Sequence, residues 1–137
     1  MSDQITINVD VLNDSNLVAK VFTKARTLLN GARTLFFGPS HETSLPDTLA
    51  MSVTDAKPNG NYKGVTRPSV KRTSTIVVAG QDPATSITCP LIGNIEFSIP
   101  VGASSAQCMI IRQELIAILD DDTIMEPLMM QSIAPFA

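Results

Sequence analysis

The sequence predicts an α+β fold, an open antiparallel sheet of about five strands followed by two C-terminal helices. Three observations carry this. Up to residue 100, apolar residues recur at every second position between clusters of turn formers; beyond residue 104 the period becomes helical; and 137 residues suffice for one hydrophobic core but not two.

Taken in order, Ile5, Ile7, Val9 and Val11 alternate with Thr6, Asn8 and Asp10, the pattern of a strand with one buried face. Asn13, Asp14, Ser15 and Asn16 turn the chain. Residues 17–29 fit either a helical stripe (Val18, Val21, Phe22, Ala25, Leu29) or one arm of a hairpin turned at Asn30-Gly31, and the hairpin is the reading adopted. Ala32 to Phe37 is then the returning strand, stopped by Gly38 and Pro39.

From Thr48 to Thr54, Leu49, Met51 and Val53 point one way, and Thr48, Ala50, Ser52 and Thr54 point the other; the second set is too small and polar for a core. Asp55 to Ser69, with Pro58, Gly60, Gly64 and Pro68, is expected to be a long basic connection rather than a central strand. Val70 to Ala79 and Ser86 to Pro100 are strands about a tight loop, Gly80 to Pro83.

The spacing of Ser104 and Gln107 is that of a capping box, so a helix is expected from Ser105 to Leu119. Its apolar residues, including Cys108, Ile111, Leu115, Ile118 and Leu119, cover more than the stripe of about 100° that a surface helix buries. Asp120, Asp121 and Asp122 favour the start of a second short helix, with Pro127 tolerated only near its first turn. Leu128, Met129, Met130 and Ile133 add another apolar surface.

Two helices apolar nearly all round cannot both be sheltered by one sheet face. A symmetric, obligate dimer whose helices cross the partner's sheet resolves this, with Cys108, Ile111, Leu115, Ile118, Leu119, Leu128 and Met129 expected at the interface. The opposite sheet face is left open, carrying Thr48, Ser52, Thr54, Lys71, Thr73, Thr75, Asn94, Glu96 and Ser98. Hydroxyls, amides and bases on a flat platform suit a phosphate backbone and splayed bases, and Arg72 is placed with Lys71 as a phosphate contact.

The net charge of −3 and pI near 4.9 lack the bulk signature of a nucleic-acid binder. The charges are divided, however. No acid falls between Ala56 and Gln81, where Lys57, Lys63, Arg67, Lys71 and Arg72 lie, and after Gln81 the only strong base is Arg112. No run approaches the roughly 20 apolar residues of a membrane span, and Met1 to Gln4 lacks a signal-peptide layout, so a soluble protein made and kept in cytoplasm is expected.

Cys89 and Cys108 are read as packing residues, with no metal or cofactor expected. The lone His41 is read as a solvated loop residue, and since any Ser/His/Asp or Cys/His site would need it as the base, no enzyme is expected.

The stretch Asn94-Ile95-Glu96-Phe97-Ser98-Ile99-Pro100, then Ala103-Ser104-Ser105 and Cys108, then Ile111-Arg112-Gln113-Glu114-Leu115 and Leu119, resembles the last strand and first helix of levivirus-type coat proteins. The ending, Ile133-Ala134-Pro135-Phe136-Ala137, is also similar, and the match runs from about Leu45 onward.

The resemblance implies one domain with an N-terminal hairpin, a five-stranded antiparallel sheet and two helices: residues 1–40 hold the hairpin and first sheet strand, 47–100 the main sheet, and 104–134 the helices interlocked with a partner subunit. It implies an icosahedral shell, usually of triangulation number three, enclosing single-stranded phage RNA on the sheet side, with a maturation protein as a further partner, assembly in bacterial cytoplasm and residence in the virion. In several such proteins a dimer also binds a hairpin at the replicase start and represses translation.

By resemblance Ser52, Asn94, Glu96, Lys71, Thr73 and Thr75 match RNA-face positions; Ala50 stands where a hydroxyl is common and Ile92 where operator binders use a stacking tyrosine. Cys89 could form an inter-subunit disulfide. The alternative function is a dimeric RNA-binding regulator that forms no shell.

Overall fold

The structure, a computed structural model, describes residues 3–12, 14–28 and 32–131. The chain divides into two compact units, residues 1–98 and 99–137. The first is an antiparallel sheet of β1 (Gln4–Val9), β2 (Val18–Leu28), β3 (Arg33–Phe37), β4 (Thr48–Thr54), β5 (Val65–Ala79) and β6 (Ser86–Glu96), in that spatial order.

The strand reading of residues 17–29 holds: β2 pairs with β1 on one side and β3 on the other, so the N-terminal hairpin and the sheet are continuous. The expected turn at Asn30-Gly31, Leu29 and Asn13 lie outside the described residues. Asp10 organises the first turn by accepting the amides of Asp14 and Ser15, both at 2.9 Å. The amide of Asn16 donates to Asp14 at 3.1 Å and holds that carboxyl below its ordinary range.

The core is small. Phe22, Phe36 and Leu49 are buried, with Ile5 and Met51 packed against them. Pairing places them on one side of the sheet, Ile5 opposite Phe22 and Phe36 opposite Leu49.

Two expectations about β5 and β6 are corrected. The basic connection ends sooner than its composition suggests, because β5 begins at Val65 and carries Pro68 opposite Val53. Val53 N–H donates to Ala32, away from β5, so no bond is lost on that side. On the other side Pro68 O accepts from Phe97 N–H at 3.0 Å, but proline has no N–H to return. The ladder is interrupted there, so the expected strand breaks after Glu96 and strand structure resumes only at Ile99–Pro100.

The second unit begins with a two-residue strand, β7 (Ile99–Pro100), and then holds α1 (Ser105–Leu119) and α2 (Asp122–Met130). The capping box forms as its spacing predicts: Gln107 N–H donates to Ser104 Oγ at 3.2 Å, and Ser104 N–H to Gln107 Oε1 at 2.9 Å. Asp121 caps α2, accepting the Thr123 hydroxyl at 2.6 Å and its amide at 2.9 Å, and these bonds lower its pKa.

Pro127 corrects a further expectation, since it lies inside α2 beyond the first turn. Its missing amide leaves Thr123 O without the usual helical donor. Ile133 and the residues after it lie outside the described residues.

Candidate nucleic-acid interface

Strand alternation sorts the sheet into two chemically different faces. One is apolar. Phe36, Leu49, Arg72 and Gly93 form one row across it, and Thr34, Met51, Val70 and Ile95 the next. Ile5, Phe36, Met51, Val53, Val70 and Phe97 line an open depression of about 450 Å³ on this side. Val53, Val70 and Ile95 remain exposed there.

The other face is polar, and its rows are set by the same register. Phe37, Thr48, Thr73 and Ile92 make one row; Arg26, Leu35, Ala50, Lys71 and Asn94 the next; Leu28, Arg33, Ser52, Ser69 and Glu96 the third; and Thr54 with Arg67 the fourth. Thr75, opposite Pro90, continues the face past the first row. Eight residues chosen from sequence, Thr48, Ser52, Thr54, Lys71, Thr73, Thr75, Asn94 and Glu96, thus share one surface. Ser98 lies past the end of β6.

Arg72 does not join them, which corrects its pairing with Lys71 as a phosphate contact. Neighbouring residues on a strand point to opposite faces, and Arg72 is on the apolar one. Its guanidinium forms an ion pair with the buried Asp47, lies 4.9 Å from the centroid of the Phe22 ring, and donates to Thr73 O at 2.6 Å and Thr48 O at 3.2 Å.

Sequence reasoning missed Arg26, Arg33 and Ser69, and counted Arg67 among the bases of the basic stretch without placing it on the sheet; all four lie on the polar face. Arg26 follows a register shift in β2 between Lys24 and Arg26, which no alternation rule anticipates. Arg67 was hidden by the connection assigned to its segment. In these rows four cations face one carboxylate, Glu96.

His41 is more than a solvated loop residue. Its ring stacks on Phe37 at 3.8 Å between centroids and 8° between planes, and its Nδ1 accepts the Asp47 amide at 3.1 Å. Asp47 also accepts the Ser40 amide at 3.1 Å. The loop from Gly38 to Asp47 is thereby tied from both ends.

In the helical unit, no residue of α1 or α2 is buried. Ile111, Ile118, Leu119, Leu128 and Met129 are exposed, while Cys108 and Leu115 are half-buried. Met109, Ile110 and Ile116 are exposed as well, so apolar surface surrounds α1. Cys89 and Cys108 are free thiols. Among the described residues no group of three metal-ligating side chains occurs, and no helix is long and apolar enough to cross a membrane.

No family model and no curated protein matches the chain. Solved structures do. The virus-like particle of Wenzhou levi-like virus 4 matches with a TM-score of 0.70 at 23% identity, over 99% of this chain and 90% of that one. That of Beihai levi-like virus 32 gives 0.71 at 22% identity, over 85% and 88%. That of bacteriophage ESE058 gives 0.73 at 13% identity, over 99% of each chain. The antiparallel sheet and the paired C-terminal helices agree with this likeness, and the chain has the levivirus coat-protein fold, that of these virus-like particles.

Proposed function

We propose that this chain is the capsid subunit of a levi-like single-stranded RNA bacteriophage. The observation that carries the reading is a match to virus-like particle chains over nearly the whole length of both partners. The subunit dimerises, and dimers assemble into an icosahedral shell in the host cytoplasm, so that the protein resides in the virion.

Two unsatisfied surfaces support dimerisation. The sheet unit has an open apolar face, and the helical unit has exposed Ile111, Ile118, Leu119 and Leu128. In an isologous dimer the helices of one copy, with Cys108, Leu115 and Met129, cover the apolar sheet face of the other. Each large apolar side chain so covered contributes about 1.5–3 kcal/mol.

The polar face then looks toward enclosed RNA. Thr48, Ser52, Thr54, Lys71, Thr73, Thr75, Asn94 and Glu96 supply donors, acceptors and charge to a phosphate backbone and splayed bases. The exposed Ile92 in this face offers no stacking ring, which favours packaging contacts over operator-hairpin recognition and repression. A maturation protein is a further partner of the assembled shell.

The role is structural rather than catalytic. The lone histidine has its Nδ1 engaged by a backbone amide and its ring stacked on Phe37. Electron microscopy of the expressed chain tests the reading. Uniform particles support it, whereas a discrete dimer at every concentration makes the chain an RNA-binding regulator without a shell.

A further inference from the structure

The geometry points to the Asn59-Gly60 turn as a self-modifying site, where the asparagine side chain cyclises onto the next amide and is converted to an aspartyl or isoaspartyl residue. The turn is the tip of the basic connection between β4 and β5, outside the rows of either sheet face. Asn59 N–H donates to Tyr62 O at 2.8 Å and Tyr62 N–H to Asn59 O at 3.1 Å, which closes a four-residue hairpin turn. Gly60 has φ +61°, and Ser15 is the only non-glycine residue of positive φ among the described residues. Gly60 therefore takes the first central position of a type II′ turn.

Cyclisation requires the Asn59 Cγ and the Gly60 nitrogen to be free to meet. The two bonds of the turn engage only the main chain of Asn59. Among the described residues neither its side chain nor Gly60 N–H has a hydrogen-bond partner, and Asn59, Gly60, Asn61 and Tyr62 are all exposed. Glycine adds no side chain to obstruct the approach, and nothing lies within 4 Å of where a Cβ on Gly60 would stand. The base of the loop is tight by contrast, since a Cβ on Gly64 would come within 2.7 Å of Lys57 O. That closure keeps Lys57 and Lys63 on either side of an open tip.

The chemistry needs only water. Hydroxide removes the Gly60 amide proton, and the nitrogen's electron pair forms a bond to Asn59 Cγ. The Cγ–Nδ2 bond then breaks, and ammonia leaves with a proton taken from water. Ring closure within one chain is favoured by proximity, and the product is a five-membered succinimide. Water opens the ring at Cγ to leave aspartate, or at the main-chain carbonyl to leave isoaspartate.

Local charge assists the step. The deprotonated nitrogen and the oxyanion that follows are stabilised by Lys57 and Lys63, which take part in no ion pair among the described residues. No acid between Ala56 and Gln81 opposes them. Conversion places a carboxylate beside the two lysines and lowers the positive charge of the loop. Isoaspartate also lengthens the main chain and breaks the Asn59–Tyr62 register.

The test is peptide mapping by mass spectrometry of the full-length protein, kept folded at mildly alkaline pH and sampled over time. Aspartyl and isoaspartyl forms of the peptide that holds Asn59 should accumulate, with Asn61 in the same peptide unchanged. Asn59→Gln, whose ring would need one more atom, stays intact at this position, and Lys57→Ala/Lys63→Ala converts several-fold more slowly. A sample unfolded in denaturant gives the rate of the free chain. Conversion at Asn59 in the unfolded sample with none in the folded protein would mean that the turn locks the side chain away, which overturns the proposal. Conversion of Asn61 as fast as Asn59 overturns it as well.

Discussion

Asp47 and Arg72 form an ion pair at the edge of the sheet's small core, with Asp47 5% exposed and the arginine placed over the Phe22 ring. A carboxylate so sheltered needs its partner, since a buried charge left alone is far more costly than a buried pair.

Arg72→Met is therefore expected to destabilise the fold by about 2–3 kcal/mol, somewhat under the fully buried range because the arginine side chain is 32% exposed. The double variant Asp47→Asn/Arg72→Met should cost less than the sum of the single changes. Denaturant titration measures both, and the salt dependence of RNA binding should not move, because Arg72 faces away from the polar surface.

Replacing His41 by alanine removes a ring stacked on Phe37 and the acceptor of the Asp47 amide. Loss of one stacking contact and one hydrogen bond is expected to cost about 1–2 kcal/mol. Thermal melting reads this, with particles still forming below the lowered midpoint.

Ser104→Ala removes the acceptor at the start of α1, and about 1 kcal/mol should be lost. Gln107→Ala alone should cost less, since it leaves the serine bond to the amide in place. Chemical unfolding followed by helical circular dichroism separates the two.

Asp121 gives an acid-side signature. The Thr123 hydroxyl and amide bonds lower its folded pKa beneath the ordinary 3.8. Its contribution is thus fully present above that value and is lost as pH falls through the folded pKa. Asp121→Asn should flatten that part of the stability-against-pH curve below pH 3.8 and leave its shape at neutral pH unchanged.

Much of this was legible in the chain. The alternation at Leu49, Met51 and Val53 gave the faces of β4, and Ser104 with Gln107 gave the first residue of α1. What escaped depended on partners distant in sequence. Pro68 sits in a long strand because its neighbour Val53 turns its amide the other way. The lysine and arginine at 71 and 72 look alike in a charge count, yet the pleat sends one to each face. His41 gained its role only because Asp47, six residues on, returns beside it.

The proposed dimerisation is the step on which the proposed shell and RNA face both depend. Ile111→Asp places a charge in the proposed interface twice by symmetry, and each unpaired buried charge costs about 3 kcal/mol or more. Sedimentation equilibrium of wild type and variant, after mild dissociation of any shells, measures the outcome. A wild-type species of twice the 14.7 kDa chain mass, and a weakened or absent dimer for the variant, is expected. A folded wild-type monomer of 14.7 kDa persisting at micromolar concentration would contradict it.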